Sequence, residues 1–205
     1  MSDIMSDRLS VVTNGGHSEA SALKWSRRFD VFGVQVSAIT FDAAESEILE
    51  AARRNIPAVV SHHDVRALID ASREADLRKA ANSFQIIAPD GQPIRWALNL
   101  LYGMRLRDPI TGTELMRRLC ARAAREGISV YLYGSTPEVL ASLQATLFEQ
   151  CPGLKLAGTE SPPFRALSPE EDRETVQRIN QSGAGIVFLG LGYPKQDRFA
   201  YEHRN

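Results

Sequence analysis

The sequence predicts an α/β fold with a Rossmann-like, mostly parallel sheet flanked by helices. From residue 29 onward, short β-branched or apolar runs alternate with longer segments of helical period, the pattern of parallel strands joined by crossover helices. The helical segments open on capping residues. The strand-like runs end on turns bearing Gly, Pro, His or Asp, the side on which open α/β sheets bind ligands. At 205 residues and 43% hydrophobic content the chain can bury one sizeable core, and it reads as one domain.

Residues 1–28 include Ser, Asp, Asn and Gly in number and show neither helical nor strand period. They read as a disordered or loosely attached leader, with the folded domain at 29–205. Strand signals fall at 31–36, 58–61, 84–88, 130–133, 154–158 and 186–189. Segment 41–54 places Ala44, Ile48, Leu49 and Ala52 on one face, and 113–125 does the same with Leu115, Leu119 and Ala123, so both read as crossover helices. Thr40 and Thr111 stand before them as caps, and Ser168-Pro169-Glu170-Glu171 forms a capping box ahead of a helix at 172–180. Segments 103–108 and 161–164 are loops long enough to carry function.

Charge and composition exclude several classes. With 24 basic and 25 acidic residues the net charge is -1, so no overall field draws the chain to nucleic acid. Cys120 and Cys151 have neither disulfide density nor metal-site spacing and fit a reducing compartment. No apolar run reaches the length of a membrane span, and the N-terminus lacks the apolar core of a signal peptide, so a cytoplasmic location is expected.

Four strand ends carry candidate chemistry. Gly134-Ser135-Thr136-Pro137-Glu138 opens a helix whose free N–H groups and dipole suit a phosphate; it also reads as a plain turn, with Thr136 as cap and Pro137 at the first helical position. Gly190-Leu191-Gly192-Tyr193-Pro194-Lys195-Gln196-Asp197 lets backbone approach a ligand before a helix that presents Lys195 and Gln196, or is a turn with both side chains in solvent. Neither the dinucleotide fingerprint nor the Walker loop fits it. In Pro89-Asp90-Gly91, Asp90 is either a strand-end general base or part of an ordinary turn. His62 and His63 point to opposite sides of an extended segment, so a metal there is not expected, and Asp64 reads as the cap of the next helix. The chain also lacks the Asp-x-Asp triplet that holds a divalent ion on a sugar nucleotide. Phosphate charge then falls to helix ends and to basic side chains such as Arg107 or Lys195.

Taken in order, Phe32-Gly33-Val34-Gln35-Val36, Ile87 to Gly91, Thr111 to Leu115, Val130 to Val139, Ser161 to Arg165 and Gly190 to Asp197 resemble the WecG/TagA/CpsF family of glycosyltransferases over residues 29–205. The resemblance implies an inverting enzyme of bacterial surface polysaccharide synthesis. It moves N-acetylmannosamine or a related hexosamine from a UDP-sugar to a polyprenyl-diphosphate-linked sugar at the inner membrane face; with the Asp-x-Asp triplet absent, no metal and no cofactor are expected. It casts Asp90 as the base, Gln196 as a nucleotide contact, and Gly134, Ser135 and Thr136 as lining of the same cleft with Gly91, Gly190, Gly192 and Lys195. Where the family shows Thr-x-Asn at the second strand end, this chain has His62 and Asp64, which fall on the substrate side. Where the family has an arginine this chain has Pro109, so Arg107 or Arg105 is expected to take over the diphosphate. Family members continue past the helix begun at Pro194 into another strand and a basic C-terminal segment, so the resemblance implies a domain that is short at its C-terminus. An uncovered sheet edge of that kind favours self-association into a homo-oligomer.

The alternative from a different class is a catalytically inactive nucleotide-binding or assembly module. A nicotinamide-dependent dehydrogenase lacks the glycine fingerprint and its acidic partner.

Overall fold

The computed structural model describes residues 10–13 and 23–204. Among these residues the strands are β1 (Ser10–Thr13), β2 (Arg28–Val31), β3 (Val34–Ser37), β4 (Ala58–His63), β5 (Ile86–Pro89), β6 (Ser129–Gly134), β7 (Lys155–Glu160) and β8 (Ile186–Gly190). The helices are α1 (Phe41–Arg53), α2 (Val65–Arg73), α3 (Ala75–Ser83), α4 (Gln92–Tyr102), α5 (Gly112–Glu126), α6 (Pro137–Gln150), α7 (Pro169–Gln181) and α8 (Lys195–Glu202). The main sheet runs β5-β4-β1-β8-β6-β7, and β2 and β3 form a separate hairpin. The pairs β4–β5, β6–β7 and β6–β8 are parallel. This is the predicted α/β, Rossmann-like class.

Alternation along the strands builds two cores. Val60, Ile86, Ala88, Val130, Leu132, Ile186 and Phe188 face one side, where they meet Ile48 and Leu49 of α1, Leu115 and Leu119 of α5, and Leu140 and Leu147 of α6. Val59, Ile87, Tyr131, Tyr133, Val187 and Leu189 face the other side, against Leu68, Leu77, Leu98, Ile179 and Ala200 from α2, α3, α4, α7 and α8. Each large apolar side chain buried this way contributes about 1.5–3 kcal/mol before entropy is counted. Cys120, on α5, and Cys151, capping α6, are free buried thiols, and burial pushes the Cys120 thiol up to about 12. No helix of the described residues is long and apolar enough to cross a membrane.

Two expectations are corrected. The single strand at 31–36 is a hairpin, broken by a two-residue turn in which Phe32 (φ 56°) and Gly33 (φ 84°) both take positive φ. Val31, Val34 and Val36 are all buried, so the apolar pattern runs on across the turn and hides it. The leader expectation fails for Ser10–Thr13, which lie as an antiparallel strand in the middle of the sheet between β4 and β8. Val11, Val12 and Thr13 favour strand, but four residues are too few to register as a period. The backbone groups of β4 and β8 facing each other need a partner, and β1 supplies it from both of its edges. Residues just before β2 are also attached: Trp25 packs on the core, and Ser26 donates to Glu47 through its N–H (3.2 Å) and its hydroxyl (2.5 Å). Residues 1–9 and 14–22 of that expectation lie outside the described residues.

Candidate active site

Because β4, β5, β6, β7 and β8 are parallel, their carboxyl ends share one edge, and every predicted strand-end residue lies along it. The strand order switches between β4 and β8, where such sheets bind their ligands. β1 fills that position with its Ser10 end toward the same edge, since Ser10 pairs with Leu189 and Thr13 with Ala58.

On the β5 side, Asp90 leaves the strand with its N–H donating to the His63 carbonyl (3.0 Å), and Gly91 (φ 89°) turns the chain into α4. The loop after α4 returns to the same place, where Ile110 N–H donates to the Pro89 carbonyl (2.9 Å) and Thr111 starts α5. His62 is buried, its Nδ1 3.1 Å from the Ile110 carbonyl oxygen, so the ring holds this loop. Asp64 caps α2 by accepting from Ala67 N–H (2.9 Å). Arg107 is exposed in the loop between α4 and α5, and its carbonyl accepts from Arg95 (2.9 Å).

On the β8 side, Gly134 pairs with Gly190 at the ends of β6 and β8. Gly134 has φ 126°, and a Cβ there would lie 2.4 Å from the Gly190 carbonyl carbon and oxygen. Ser135 (φ 60°) donates its N–H to the Gly190 carbonyl (2.9 Å), while its own carbonyl accepts from the Ser161 hydroxyl (2.7 Å). Thr136 caps α6, accepting from Val139 N–H (3.4 Å). The first turn of α6 also carries Glu138, whose carboxyl is held below its usual range by its own backbone N–H and by the Thr136 hydroxyl. The phosphate-ready end predicted there thus already holds its own anion. In contrast, α4, α5 and α8 begin without a side-chain cap, which leaves their first-turn donors to other partners.

The two sides are joined by side chains that sequence reasoning did not single out. Asp197, in the first turn of α8, accepts from the Ser61 hydroxyl (2.7 Å) and lies 2.8 Å from His63 Nε2, with all three residues buried. Tyr193 sets its ring edge-on to His63 at 5.8 Å. The bonds fasten α8 over the end of β4. The adjacent histidines do point opposite ways, one to the Ile110 loop and one to α8.

Gln196 lies beside Asp197 in the chain and is fully buried, with neither amide atom hydrogen-bonded among the described residues; His63 Nδ1 is buried and unsatisfied too. The reading of Gln196 as a solvent-facing turn residue is therefore wrong, whereas Lys195 is exposed. Gly192 accepts from Gln196 N–H (3.0 Å) and closes the turn. At the end of β7, Glu160 accepts from Arg178 (2.8 Å), Tyr131 and Thr175, and the arginine chiefly holds its carboxyl below the usual range. Glu160 is thereby committed to α7. A groove between α7 and α8, lined by Asp172, Val176, Asn180 and His203, includes none of the predicted residues. Among the described residues no group of three His, Cys, Asp or Glu side chains is placed to hold a metal ion.

The sequence matches the model of the glycosyl transferase WecG/TagA/CpsF family over residues 29–205. The chain belongs to this family. The WecG/TagA/CpsF match covers the ends of β4, β5, β6, β7 and β8 and makes the protein a glycosyltransferase of cell-surface polysaccharide synthesis, with a sugar donor and an acceptor as substrates.

Proposed function

We propose that this WecG/TagA/CpsF member is an inverting, metal-independent transferase that moves a hexosamine-type sugar from a UDP-sugar to a polyprenyl-diphosphate-linked sugar. Its Asp90 carboxylate accepts the proton of the acceptor hydroxyl as that oxygen bonds to the anomeric carbon. The bond from the anomeric carbon to the diphosphate breaks, and UDP leaves with the electron pair. Attack opposite the leaving group inverts the anomeric centre. The uncapped starts of α5 and α8, with Lys195 and Arg107, meet the diphosphate charge. Gly190 and Gly192 let backbone approach the donor, as Gly91 does beside Asp90.

The observation that carries this reading is Gln196. A fully buried amide with no partner among the described residues costs roughly 1–3 kcal/mol, and a site keeps such a group where a ligand completes it. It sits one residue from Asp197, which bonds His63, the residue whose carbonyl accepts from the Asp90 N–H. Titration calorimetry with UDP tests the assignment. Gln196→Ala is expected to weaken UDP binding by about tenfold. Equal affinity in variant and wild type, or no binding by the wild type, would remove Gln196 from the donor site. UDP binding by a chain that never transfers sugar would favour the noncatalytic module.

A further inference from the structure

α4 sits with its back to the core and an apolar face to solvent. Ile94 and Leu98 are buried, while Trp96 (57% exposed) and Leu100 (85%) lie on the opposite side and Leu101 (64%) emerges beside the buried face. Trp96 and Leu100, four residues apart, form one apolar stripe along a helix about 16 Å long, and Leu101 adds apolar surface at its side. The C-terminal end of α4 is fixed to the β2–β3 hairpin: the Tyr102 hydroxyl donates to the Asp30 carbonyl, and Tyr102 packs on Phe29 with ring centroids 4.8 Å apart. The tip of that hairpin carries another outward aromatic, Phe32, at 69% exposure. Several large exposed apolar side chains gathered on one helix and the adjoining hairpin tip mark a docking face.

The charge around it departs from that of the whole chain. Residues 27–33 and 92–108 contain Arg27, Arg28, Arg95, Arg105 and Arg107 against Asp30 and Asp108, in a protein whose net charge is -1. Among the described residues none of these arginines is in a salt bridge. Arg28 and Arg95 donate to backbone carbonyls, Arg27 stacks on Phe29 at 5.0 Å, and Arg105 and Arg107 are exposed. Asp30 is occupied by Gly33 N–H and Gln35. A tryptophan and leucines flanked by unneutralised arginines fit a bilayer with anionic headgroups: the apolar stripe enters the acyl boundary, the indole sits at the interface, and guanidinium groups such as that of Arg105 meet phosphate.

We propose that the outer face of α4, with the Phe32 tip and Arg105, is the surface by which this protein lies on an anionic membrane. Resting on the glycosyl-transfer reading, this gives the face a task. α4 begins directly after Asp90 and Gly91, so a lipid-linked acceptor held in the bilayer arrives at the base along the helix that touches the lipid.

Co-sedimentation with vesicles of phosphatidylcholine alone, or with a third of phosphatidylglycerol, tests it. The wild-type chain should bind the anionic vesicles, bind the neutral ones at least about tenfold more weakly, and release as salt rises. The double variant Leu100→Ser, Leu101→Ser changes only exposed side chains and should melt like the wild type. It should lose about tenfold or more in vesicle affinity. It should also keep its rate on a detergent-free, water-soluble short-chain acceptor while slowing on acceptor embedded in vesicles. Absence of wild-type binding to anionic vesicles, equal binding to neutral ones, or an unaffected double variant would overturn the proposal. So would sedimentation velocity in which the wild type dimerises and the variant does not, since a second copy would then be the occupant. Vesicle binding reads the docking face even if no sugar is transferred, so the two readings fail separately.

Discussion

At Gly134 the end of β6 comes so close to the end of β8 that no side chain fits. Gly134→Ala puts a Cβ 2.4 Å from the Gly190 backbone at φ 126°, combining an overpacked contact with a backbone region closed to L-residues. A loss of about 2–5 kcal/mol is expected, read as a lower midpoint in thermal or urea unfolding. An unchanged midpoint would mean that the two strand ends are not in contact. Residues such as Asp90, Gly134 and Gly190 were legible because each follows an apolar run directly, and strand ends are where ligands bind. Ser61, His63 and Asp197 were not, because their bonds join positions 134 and 136 residues apart, and local pattern carries no information about such pairs. Gln196 was legible as a candidate, yet its burial was not, since only the packing of α8 over the sheet removes it from water.

Among the elements, α7 shows how far local rules reach. Its capping box is the one read from Ser168 to Glu171: Ser168 accepts from Glu171 N–H (3.2 Å) and the Glu171 carboxylate accepts from Ser168 N–H (2.8 Å). Arg165 adds a bidentate ion pair and, with that cap, holds the Glu171 carboxyl at about 2 against an ordinary 4.5. A lowered folded-state pKa stabilises above the unfolded value and loses that contribution as pH falls through the folded one. Glu171→Gln should therefore melt at a lower temperature than the wild type above about pH 4.5. The gap should narrow below that and vanish near pH 2; a gap independent of pH would contradict the ion pair. Sequence reading placed both α6 and α8 as possible phosphate sites. Only side-chain positions separate them, since α6 spends its first turn on Thr136 and Glu138 while α8 begins uncapped. The β2–β3 hairpin escaped notice because its turn interrupts no apolar period.

For the molecule as a whole, parallel order and two cores follow from strand alternation, and the class was readable from the rhythm of apolar runs. The place of β1 was not, since four residues carry too weak a pattern to show that the centre of the sheet is closed from the N-terminal side. Removing residues 1–22 should leave β4 and β8 unpaired toward each other and lower the melting temperature on the order of 10 °C, as scanning calorimetry would read it. A melting curve unchanged by the truncation would return that stretch to the status of a loose leader. The switch point, the Asp197 fastening of α8 and the emergence of Asp90 at the same edge together support a single glycosyl-transfer cleft. Its most direct test is the rate of sugar transfer from a UDP-hexosamine to a short-chain polyprenyl-diphosphate-linked acceptor, for the wild type and Asp90→Asn, with UDP affinity measured alongside. The account predicts a loss in kcat of about 100-fold or more with UDP binding retained; transfer by Asp90→Asn at the wild-type rate would contradict it.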